Sequence, residues 1–507
     1  MLESVKPLLV VLVLELLAFA VVKSTCLQFM PAQTFARRRM VWLLLTVAQF
    51  LSPNIWVFAA LALPLIFWAA ARDEHPTALY LMLLLIVPPV SVPIPMPVIN
   101  QLFELTYSRI LAMALLVPTV VRLIRAGSAN HPGLAKVDLV LLAFGVLQIA
   151  VYFPYESITH TIRRSFLFGI DVFALYFVFS RGAVTKEALR DTLASFCLAC
   201  ALLVPVLAFE SIRGWLLFIG IPENWGSSNA FAYLMRGGSL RAQASLGHSL
   251  TMGYALAIGF GWWIYLGGRL PSRGPLWLGG IAFWVGLFAA FSRAPWVVAA
   301  AVWAIYMVAS PTARRHLLKV SLVLLVIAVP LSMTPPGERI IAALPFIGTV
   351  DQSNVEYREQ LATVSWRLIQ MNPIFGSPFV TNYMEEMRQG QGIIDIVNTY
   401  AYISLFYGLV GCALFVICFV YPMGRSAYAA FQARREAVDD VNLGIILVAS
   451  MIGTLLMMAT GSFGGVFEYM SWVLCGLCCA YTAAMFRLPQ AAPFAGAAER
   501  LKPLRQA

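Results

Sequence analysis

The sequence predicts an all-α integral membrane protein with about 14 transmembrane helices (13 to 15). Of its 507 residues, 60% are hydrophobic and 12% are charged, whereas a soluble chain carries about a quarter charged residues. The mean hydropathy is +0.80. Apolar runs of roughly 17 to 22 residues recur along nearly the whole chain, and each is long enough to cross a bilayer as a helix.

The predicted spans in chain order are roughly 7–23, 40–51 with 54–71, 77–91, 103–123, 137–154, 165–180, 187–207, 248–267, 275–292, 295–310, 316–333, 396–420, 443–461 and 468–486. The region 40–71 is ambiguous, because Ser52–Pro53–Asn54 either forms a tight hairpin or kinks one long helix. The first run follows Lys6 and lacks a clear small-residue cleavage site, so we interpret it as a membrane helix and not as a signal peptide.

The basic loops predict the orientation, because short cytoplasmic loops retain Lys and Arg. This retention also accounts for the net charge of +11 and argues against nucleic-acid binding. The predicted organisation is N-terminal membrane helices (1–207), an outer loop (208–247), membrane helices carrying arginine motifs (248–333), a large, partly helical outer loop (334–395), C-terminal membrane helices (396–486) and a cytoplasmic tail (487–507).

The cations assigned to the outside are arginines. No lysine is assigned to the outside, and the side of Lys6 and Lys23 is left open because it depends on the ambiguous region. The outer arginines are residues 163, 164, 213, 236, 241, 293, 339, 358, 367 and 388. A guanidinium grips phosphate with two hydrogen bonds and keeps its charge. The alternative is that these arginines pair with acids of the same loops, such as Glu356, Glu359, Glu385 and Glu386.

Two short pieces place an arginine at an apolar helix end with few acids nearby. In "SLRAQASLGHSL" (239–250), a helix beginning after Gly237–Gly238 would put Arg241, Ser245 and His248 on one face. In "FSRAP" (291–295), Arg293 lies at a turn between two apolar helices. Such arginines can clamp a pyrophosphate whose lipid tail stays in the bilayer. For His248 the alternative is an ordinary interfacial histidine.

Two further pieces lie on the outer side. "EYREQLATVSWRLIQMNPIFGSPF" (356–379) predicts an amphipathic surface helix that ends at Asn372–Pro373. In "YESITHTIRRS" (155–165), Glu156, His160 and Arg163/Arg164 share a helical face, so His160 is a candidate base. The alternative there is a hydrogen-bonded loop end.

These features, with "DIVNTYAYISLFYGLVGCALF" (395–415), resemble the O-antigen ligase and polymerase family of bacterial envelope glycosyltransferases. The four pieces around Arg241, Arg293, 356–379 and 395–415 follow the family's order. The resemblance implies a GT-C-like fold in the bacterial inner membrane, with the active site on the periplasmic face. It also implies glycan transfer from undecaprenyl pyrophosphate, which Arg241 and Arg293 bind, to an acceptor hydroxyl.

One departure from the family pattern bears on the chemistry. Ligases of the family usually carry a histidine, their presumed base, where this chain has Val397, and Phe406 replaces a frequent glutamate. Gly408 and Gly411 are kept. The missing histidine favours the polymerase branch, in which a growing glycan moves to the terminal sugar of a new lipid-linked unit. The base stays open among His160, Asp395 and His248, in that order.

The remaining expectations follow from this chemistry. A pyrophosphate is already a good leaving group, so we expect no metal or other cofactor. The expected partners are an undecaprenyl-pyrophosphate-linked oligosaccharide, the lipid bilayer, a chain-length regulator and export machinery. The additional substrate-binding candidates are Arg163, Arg164, Arg236, Arg367, Asn398 and Tyr400. The alternatives are ligase-type transfer to another acceptor and transport of a lipid-linked sugar; no internal repeat favours transport.

Overall fold

The computed structural model describes residues 2–96, 100–128, 133–227, 231–236, 238–316, 334, 352–389, 392–433 and 437–486. These residues form a helical bundle with two short antiparallel hairpins. The helices are α1 (Leu2–Cys26), α2 (Ala32–Leu51), α3 (Ile55–Ala70), α4 (Pro76–Leu83), α5 (Tyr107–Leu111), α6 (Val117–Arg125), α7 (Ala135–Tyr152), α8 (Ile158–Phe168), α9 (Ala174–Gly182), α10 (Lys186–Arg213), α11 (Gly220–Asn224), α12 (Ser249–Gly267), α13 (Arg273–Ala290), α14 (Arg293–Ala309), α15 (Gln352–Met371), α16 (Thr399–Ala433), α17 (Val438–Met458) and α18 (Gly465–Met485).

Within the described residues, nine helical segments are long and apolar enough to cross a membrane. They are α1, the continuous helix Tyr107–Arg125, α7, α10, α12, α13, α16, α17 and α18. Helices α3 and α14 are apolar but shorter. This confirms a polytopic membrane protein, whereas the predicted number of 14 spans is not confirmed. The predicted span 316–333 lies outside the described residues.

The start of α1 lies at the end of the bundle that carries residues 208–247, here called the outer end. The Lys6 ammonium lies 5.3 Å from the centroid of the Trp215 ring. The Asn224 side chain donates a hydrogen bond of 3.3 Å to Ser4. Lys6 is therefore a lysine at the outer end, where the charge pattern otherwise assigns arginines.

The ambiguous region 40–71 is a helical hairpin that turns at the outer end. The Asn54 side-chain oxygen accepts the backbone N–H groups of Trp56 and Val57 and so caps α3. The Trp225 indole donates to the Ser52 carbonyl at 3.0 Å, which fixes the turn against the outer loop. Of the two alternatives in the sequence, the hairpin is the one observed.

The predicted helical span 77–91 is wrong. Helix α4 ends at Leu83, and a buried irregular segment continues to Val90, where the hairpin of β1 (Ser91–Met96) and β2 (Asn100–Thr106) follows. Pro88 and Pro89 explain the early end, since proline lacks the N–H that a helix needs and its ring clashes with the preceding turn.

The irregular segment stays buried because side chains from elsewhere satisfy its carbonyl groups. Backbone at membrane depth needs such partners, as no water is present to replace them. The Leu83 carbonyl accepts from Tyr107, the Leu85 carbonyl from Ser245 and the Ile86 carbonyl from Gln49. Ser245 belongs to the loop that carries Arg241, so its hydrogen bond to the Leu85 carbonyl attaches that loop to the irregular segment.

An ion network joins α2, the α3–α4 turn and α10 at the opposite end. The Arg38 guanidinium is fully buried and makes two hydrogen bonds to Asp73 (2.9 and 2.8 Å) and two to Asp191 (2.7 and 2.8 Å). His75 Nδ1 lies 2.8 Å from the same Asp191 carboxylate. Removing one partner of a buried ion pair is strongly destabilising, so the network fixes α10, the helix that leads to the outer site.

Helix α16 is broken at Gly408, and the chain between Pro373 and Ser377 enters the break. The Leu409 N–H donates to the Pro373 carbonyl at 2.8 Å, and the Ser377 N–H donates to the Leu405 carbonyl at 3.0 Å. The predicted amphipathic helix is observed as α15, and the segment that follows it is thus hydrogen-bonded to α16 through the backbone.

This close approach requires glycine on both sides. Gly408 has φ 68° and ψ −174°, a conformation that is essentially confined to glycine. A Cβ atom at Gly408 would lie 2.1 Å from the Ile374 carbonyl oxygen, and one at Gly376 would lie 2.6 Å from the Gly408 nitrogen. The two glycines therefore decide how the outer segment meets the bundle.

We expect Gly408→Ala to destabilise the protein by about 3 kcal/mol or more, because it adds backbone strain and a clash that only backbone movement can relieve. The midpoint of thermal unfolding in detergent should fall by several degrees. The matched control is Gly424→Ala on the same helix, where a Cβ atom meets nothing within 4 Å. Equal midpoints for the two variants would show that the junction is not required.

Candidate functional site

Arg241 lies in an irregular loop, so the predicted helical face of Arg241, Ser245 and His248 is wrong. The short hairpin of β3 (Met235–Arg236) and β4 (Ser239–Leu240) turns at Gly238, and α12 begins only after His248. Two residues between β4 and α12 have positive φ: Ala244 and Gly247. A continuous helix cannot pass through such positions.

A buried carboxylate, Glu210 near the end of α10, holds this loop in place. It is 0% exposed. One oxygen accepts the N–H groups of Gln243 (3.0 Å) and Ala244 (2.8 Å), and the other accepts the N–H of Leu217 (3.0 Å). Charge-assisted hydrogen bonds of this kind are roughly twice as strong as neutral ones. Glu210 thus fixes the backbone that follows Arg241.

The turn between α13 and α14 brings a second arginine to the same place. Phe291 ends α13 with φ 45°, and α14 begins at Arg293. Arg241 Nη2 lies 3.4 Å from Ser292 Oγ, and Arg236 Nη1 donates to the Phe291 carbonyl at 3.2 Å. We call Arg236, Arg241 and Arg293, gathered at this turn, the arginine cluster.

Backbone strain marks both sides of the arginine cluster. Among the described residues, the non-glycine residues with positive φ are Ala244 and Phe291, each at 45°. One follows Arg241 by three positions and the other precedes Arg293 by two. Such conformations cost on the order of 1–3 kcal/mol and concentrate at functional sites. The strain supports the interpretation that the arginine positions serve a function beyond packing.

The electrostatics of Arg241 favour an anionic ligand. Burial, together with the nearby positive charge of Arg236, lowers its pKa to about 10. Its Nε atom is buried without a hydrogen-bond partner among the described residues. A guanidinium that is partly desolvated beside another cation gains from a bound anion, which supplies both the missing charge and the missing acceptor.

His248, one of the candidate bases, lies within electrostatic range of both Arg241 and a second candidate base, Asp395. The pKa of His248 is lowered, mainly because the surrounding protein removes water from the ring and also because Arg241 is positive, while the Asp395 charge opposes these effects. His248 Nδ1 accepts the Leu250 N–H at 3.3 Å. The neutral ring therefore carries its proton on Nε2. Asp395 Oδ1 accepts a hydrogen bond of 2.6 Å from Ser462.

His160, the first candidate, lies elsewhere on the outer end, with Arg163 and Arg164 at the rim of a separate cavity. Helix α8 begins at Ile158, so Glu156 precedes it and does not share a helical face with His160. An ion pair still joins the two ends of this stretch, since Arg164 Nη2 is 2.5 Å from Glu156 Oε1. These predicted site residues thus lie in two places, one around Arg241 and His248 and the other around His160 and Arg164. The roles of all of them remain predictions.

Asn398 and Tyr400 have structural partners at the start of α16. The Asn398 side chain accepts the Ala401 N–H at 3.1 Å, and the Tyr400 hydroxyl donates to the Leu455 carbonyl at 2.9 Å. Val397, at the position of the family's histidine, is half-buried. Substrate binding by Asn398 and Tyr400 stays a prediction.

Two other outer arginines follow the alternative of pairing with acids from the same loop. Arg367 is 2.6 Å from Glu386, and Arg388 is 2.6 Å from Glu385. Both pairs are exposed to solvent and so contribute little to stability. Arg367 is consequently a weaker candidate for phosphate binding than Arg241. Arg339 lies outside the described residues.

Glu210 and Ser292 are the site residues that sequence reasoning missed. Glu210 had a visible signal, an acid beside the end of a long apolar helix, which is an expensive position without a function. Ser292 had none beyond its neighbour Arg293. Across the parts of the chain that the structure describes, no group of three or more His, Cys, Asp or Glu side chains is arranged to hold a metal.

The bundle and the arginine cluster define a polytopic membrane protein with a concentration of arginines at one end. Residues 278–416 match the family model described as O-Antigen ligase. This match confirms the resemblance to the O-antigen ligase/polymerase family, whose members are glycosyltransferase-like membrane enzymes. It spans a little over a quarter of the chain and includes Arg293 and Gly408, whereas Arg241 precedes it. The search of curated proteins gave no match.

We expect Glu210→Ala to loosen the loop that carries Arg241, since two of its amide groups lose their acceptor. A buried hydrogen bond to a charged group contributes about 1.5–3 kcal/mol, so exchange of the Gln243 and Ala244 amide hydrogens should accelerate at least about tenfold. Hydrogen-exchange mass spectrometry measures this on the peptide that covers residues 241–247. The control is Glu187→Ala, an exposed acid at the other end of α10. Unchanged exchange in Glu210→Ala would contradict the anchoring role.

Proposed function

We propose that this protein polymerises lipid-linked polysaccharide repeat units at the periplasmic face of the bacterial inner membrane. The growing glycan on undecaprenyl pyrophosphate is transferred to the terminal sugar hydroxyl of a new lipid-linked unit. The observation that carries the proposal is the arginine cluster, with Arg241 partly desolvated beside Arg236 and lacking a partner at Nε. The family match supports glycan transfer in general.

The arginines assist the departure of the pyrophosphate. The acceptor oxygen attacks the anomeric carbon, the bond from that carbon to the pyrophosphate oxygen breaks, and the pyrophosphate leaves with the electron pair. Negative charge grows on the leaving oxygen, where Arg241 and Arg293 donate hydrogen bonds. Because Glu210 and the strained turns hold the backbone beforehand, little reorganisation is needed at the moment of reaction.

Asp395 is the base that the contacts favour. It lies within electrostatic reach of His248, which itself lies beside Arg241. Its Oδ1 is oriented by Ser462, and its carboxylate can take the proton of the attacking hydroxyl. His248, whose Nδ1 is occupied by the Leu250 N–H, is suited to donate a hydrogen bond from Nε2 to the leaving group.

Two alternatives use the same arginine cluster. Transfer to an acceptor other than a second lipid-linked unit would make the protein a ligase, and Val397 in place of the family's histidine argues against this. A transporter of lipid-linked sugar would need polar groups along a path through the bilayer. The cluster and both groups of candidate bases lie instead at one end of the bundle, as an enzyme acting at the membrane surface requires.

The direct test uses purified protein in lipid with its undecaprenyl-pyrophosphate repeat unit as the sole substrate. A ladder of repeat units on a gel, with matching masses, is the expected result. An unchanged single unit would refute the polymerase. The same sample with a second acceptor, and then in sealed vesicles, would separate a ligase from a transporter.

We expect Arg241→Ala and Arg293→Ala each to reduce polymer formation by about 100- to 1,000-fold, the usual effect of losing one contact to a developing oxyanion. The protein should remain folded and inserted. Arg388→Ala is the matched control, because this exposed outer arginine is paired with Glu385. Polymer of normal amount and length from both cluster variants would disprove the pyrophosphate role.

One substitution at each candidate base tests which of the three residues accepts the proton. We expect Asp395→Asn to lose nearly all turnover, because an amide cannot accept the proton, while His248→Gln retains part of it. His160→Gln is the third variant, and it should be nearly inactive only if His160 is the base. Initial rates of ladder formation measure all three. Wild-type rates in Asp395→Asn would remove Asp395 as the base.

A further inference from the structure

A cavity of about 420 Å³ opens at the outer end, apart from the arginine cluster. Its walls come from α5, α7, α8, α16, α18 and the segments beside them. This volume lies in the range of small-molecule binding sites, about 300–1,000 Å³. Its lining combines charged side chains with aromatic rings, a mixture that simple packing does not require.

The cavity carries ionisable side chains of both signs. It is lined by three arginines and three acids, which are Arg109, Arg163, Arg164, Glu156, Asp171 and Glu468. A pyrophosphate would meet repulsion from the carboxylates as well as attraction from the guanidinium groups. An uncharged ligand with many hydroxyl groups avoids that repulsion, since carboxylates accept from hydroxyls and guanidinium groups donate to them.

Existing ion pairs hold these polar groups in fixed positions. Arg109 Nε and Nη2 both donate to Asp171 Oδ2, at 3.1 and 2.8 Å, which leaves Oδ1 able to accept another bond. Arg164 pairs with Glu156 and lies 3.7 Å above the Tyr152 ring. Preorganised donors and acceptors lose little entropy when a ligand binds.

Aromatic side chains form much of the remaining wall. They are Phe144, Phe168, Tyr402, Tyr407, Phe415, Phe463 and Trp472. Flat apolar rings beside a few fixed polar groups suit a ligand that has both C–H faces and hydroxyl edges. A pyranose ring has this character.

The cavity adjoins the group around Asp395. Phe463 lines the cavity, and the residue before it, Ser462, donates the hydrogen bond to Asp395. We propose that this cavity binds uncharged sugar residues of the acceptor glycan and presents the terminal hydroxyl towards the arginine cluster. The inference rests on the proposed function, because it assigns a second substrate to the same reaction.

The test measures two ligands separately on protein in lipid nanodiscs. The first probe is the oligosaccharide released by mild acid from the source strain's own surface polysaccharide, and the second is inorganic pyrophosphate. Tyr402→Ala and Glu468→Gln change the cavity lining. Tyr428→Ala, an exposed tyrosine near the other end of α16, is the matched control, and Arg241→Ala changes the arginine cluster.

We expect oligosaccharide affinity to fall at least tenfold in both cavity variants and to stay unchanged in Tyr428→Ala and Arg241→Ala. Pyrophosphate affinity should show the reverse pattern, with a loss only in Arg241→Ala. The inference would be overturned if the wild-type protein did not bind the oligosaccharide or if all variants bound it equally. It would also be overturned if undecaprenyl phosphate displaced the oligosaccharide from the cavity. If the wild-type protein did not bind pyrophosphate, that result would instead contradict the proposed function. The oligosaccharide measurement does not depend on the pyrophosphate measurement, so the two failures are distinguishable.

Discussion

The hydrogen bonds from three backbone N–H groups to the buried Glu210 carboxylate hold the outer site together. They join the end of α10 to the loop that carries Arg241, and α10 is itself fixed at its other end through Asp191 and Arg38. A buried carboxylate is tolerated only when such donors surround it. If the loop shifted, the buried carboxylate would lose these donors and stay without hydrogen-bond partners, which is costly, and this constraint fixes the Arg241 backbone.

A second constraint joins distant parts of the sequence without any charge. The Pro373–Ser377 segment and the break at Gly408 exchange backbone hydrogen bonds at a distance that no side chain would permit. The third and fourth family pieces are adjacent for this reason. Asp395 lies on the chain between Ser377 and Gly408, so the junction also limits the position of this carboxylate relative to His248.

The arginines at the outer end of the bundle and in its cavity differ in their partners. Arg367 and Arg388 pair with exposed acids, and Arg164 and Arg109 pair with acids in the cavity. Arg241 differs, since its guanidinium donates to the Ser292 hydroxyl and lies near another cation, Arg236, and no ion pair with an acid is described for it. Arginine thus occurs in three environments: in exposed ion pairs, in ion pairs within the cavity, and in a positively charged cluster. The local supply of carboxylates decides which of these environments each arginine has.

The sequence by itself determined the membrane class and offered the outer hairpin as one of two alternatives. It also singled out Arg241 and Arg293 as candidates, because apolar length and an arginine at a helix end are local properties. It could not predict the irregular segment 84–90, whose carbonyls are satisfied by distant side chains, or the loop around Arg241, which Glu210 shapes from 31 residues away in the chain. Only the tertiary structure decided that His248 lies within electrostatic range of both Arg241 and Asp395, while His160 lines a separate cavity. Such groupings depend on contacts between helices far apart in sequence, and a local pattern carries no information about them.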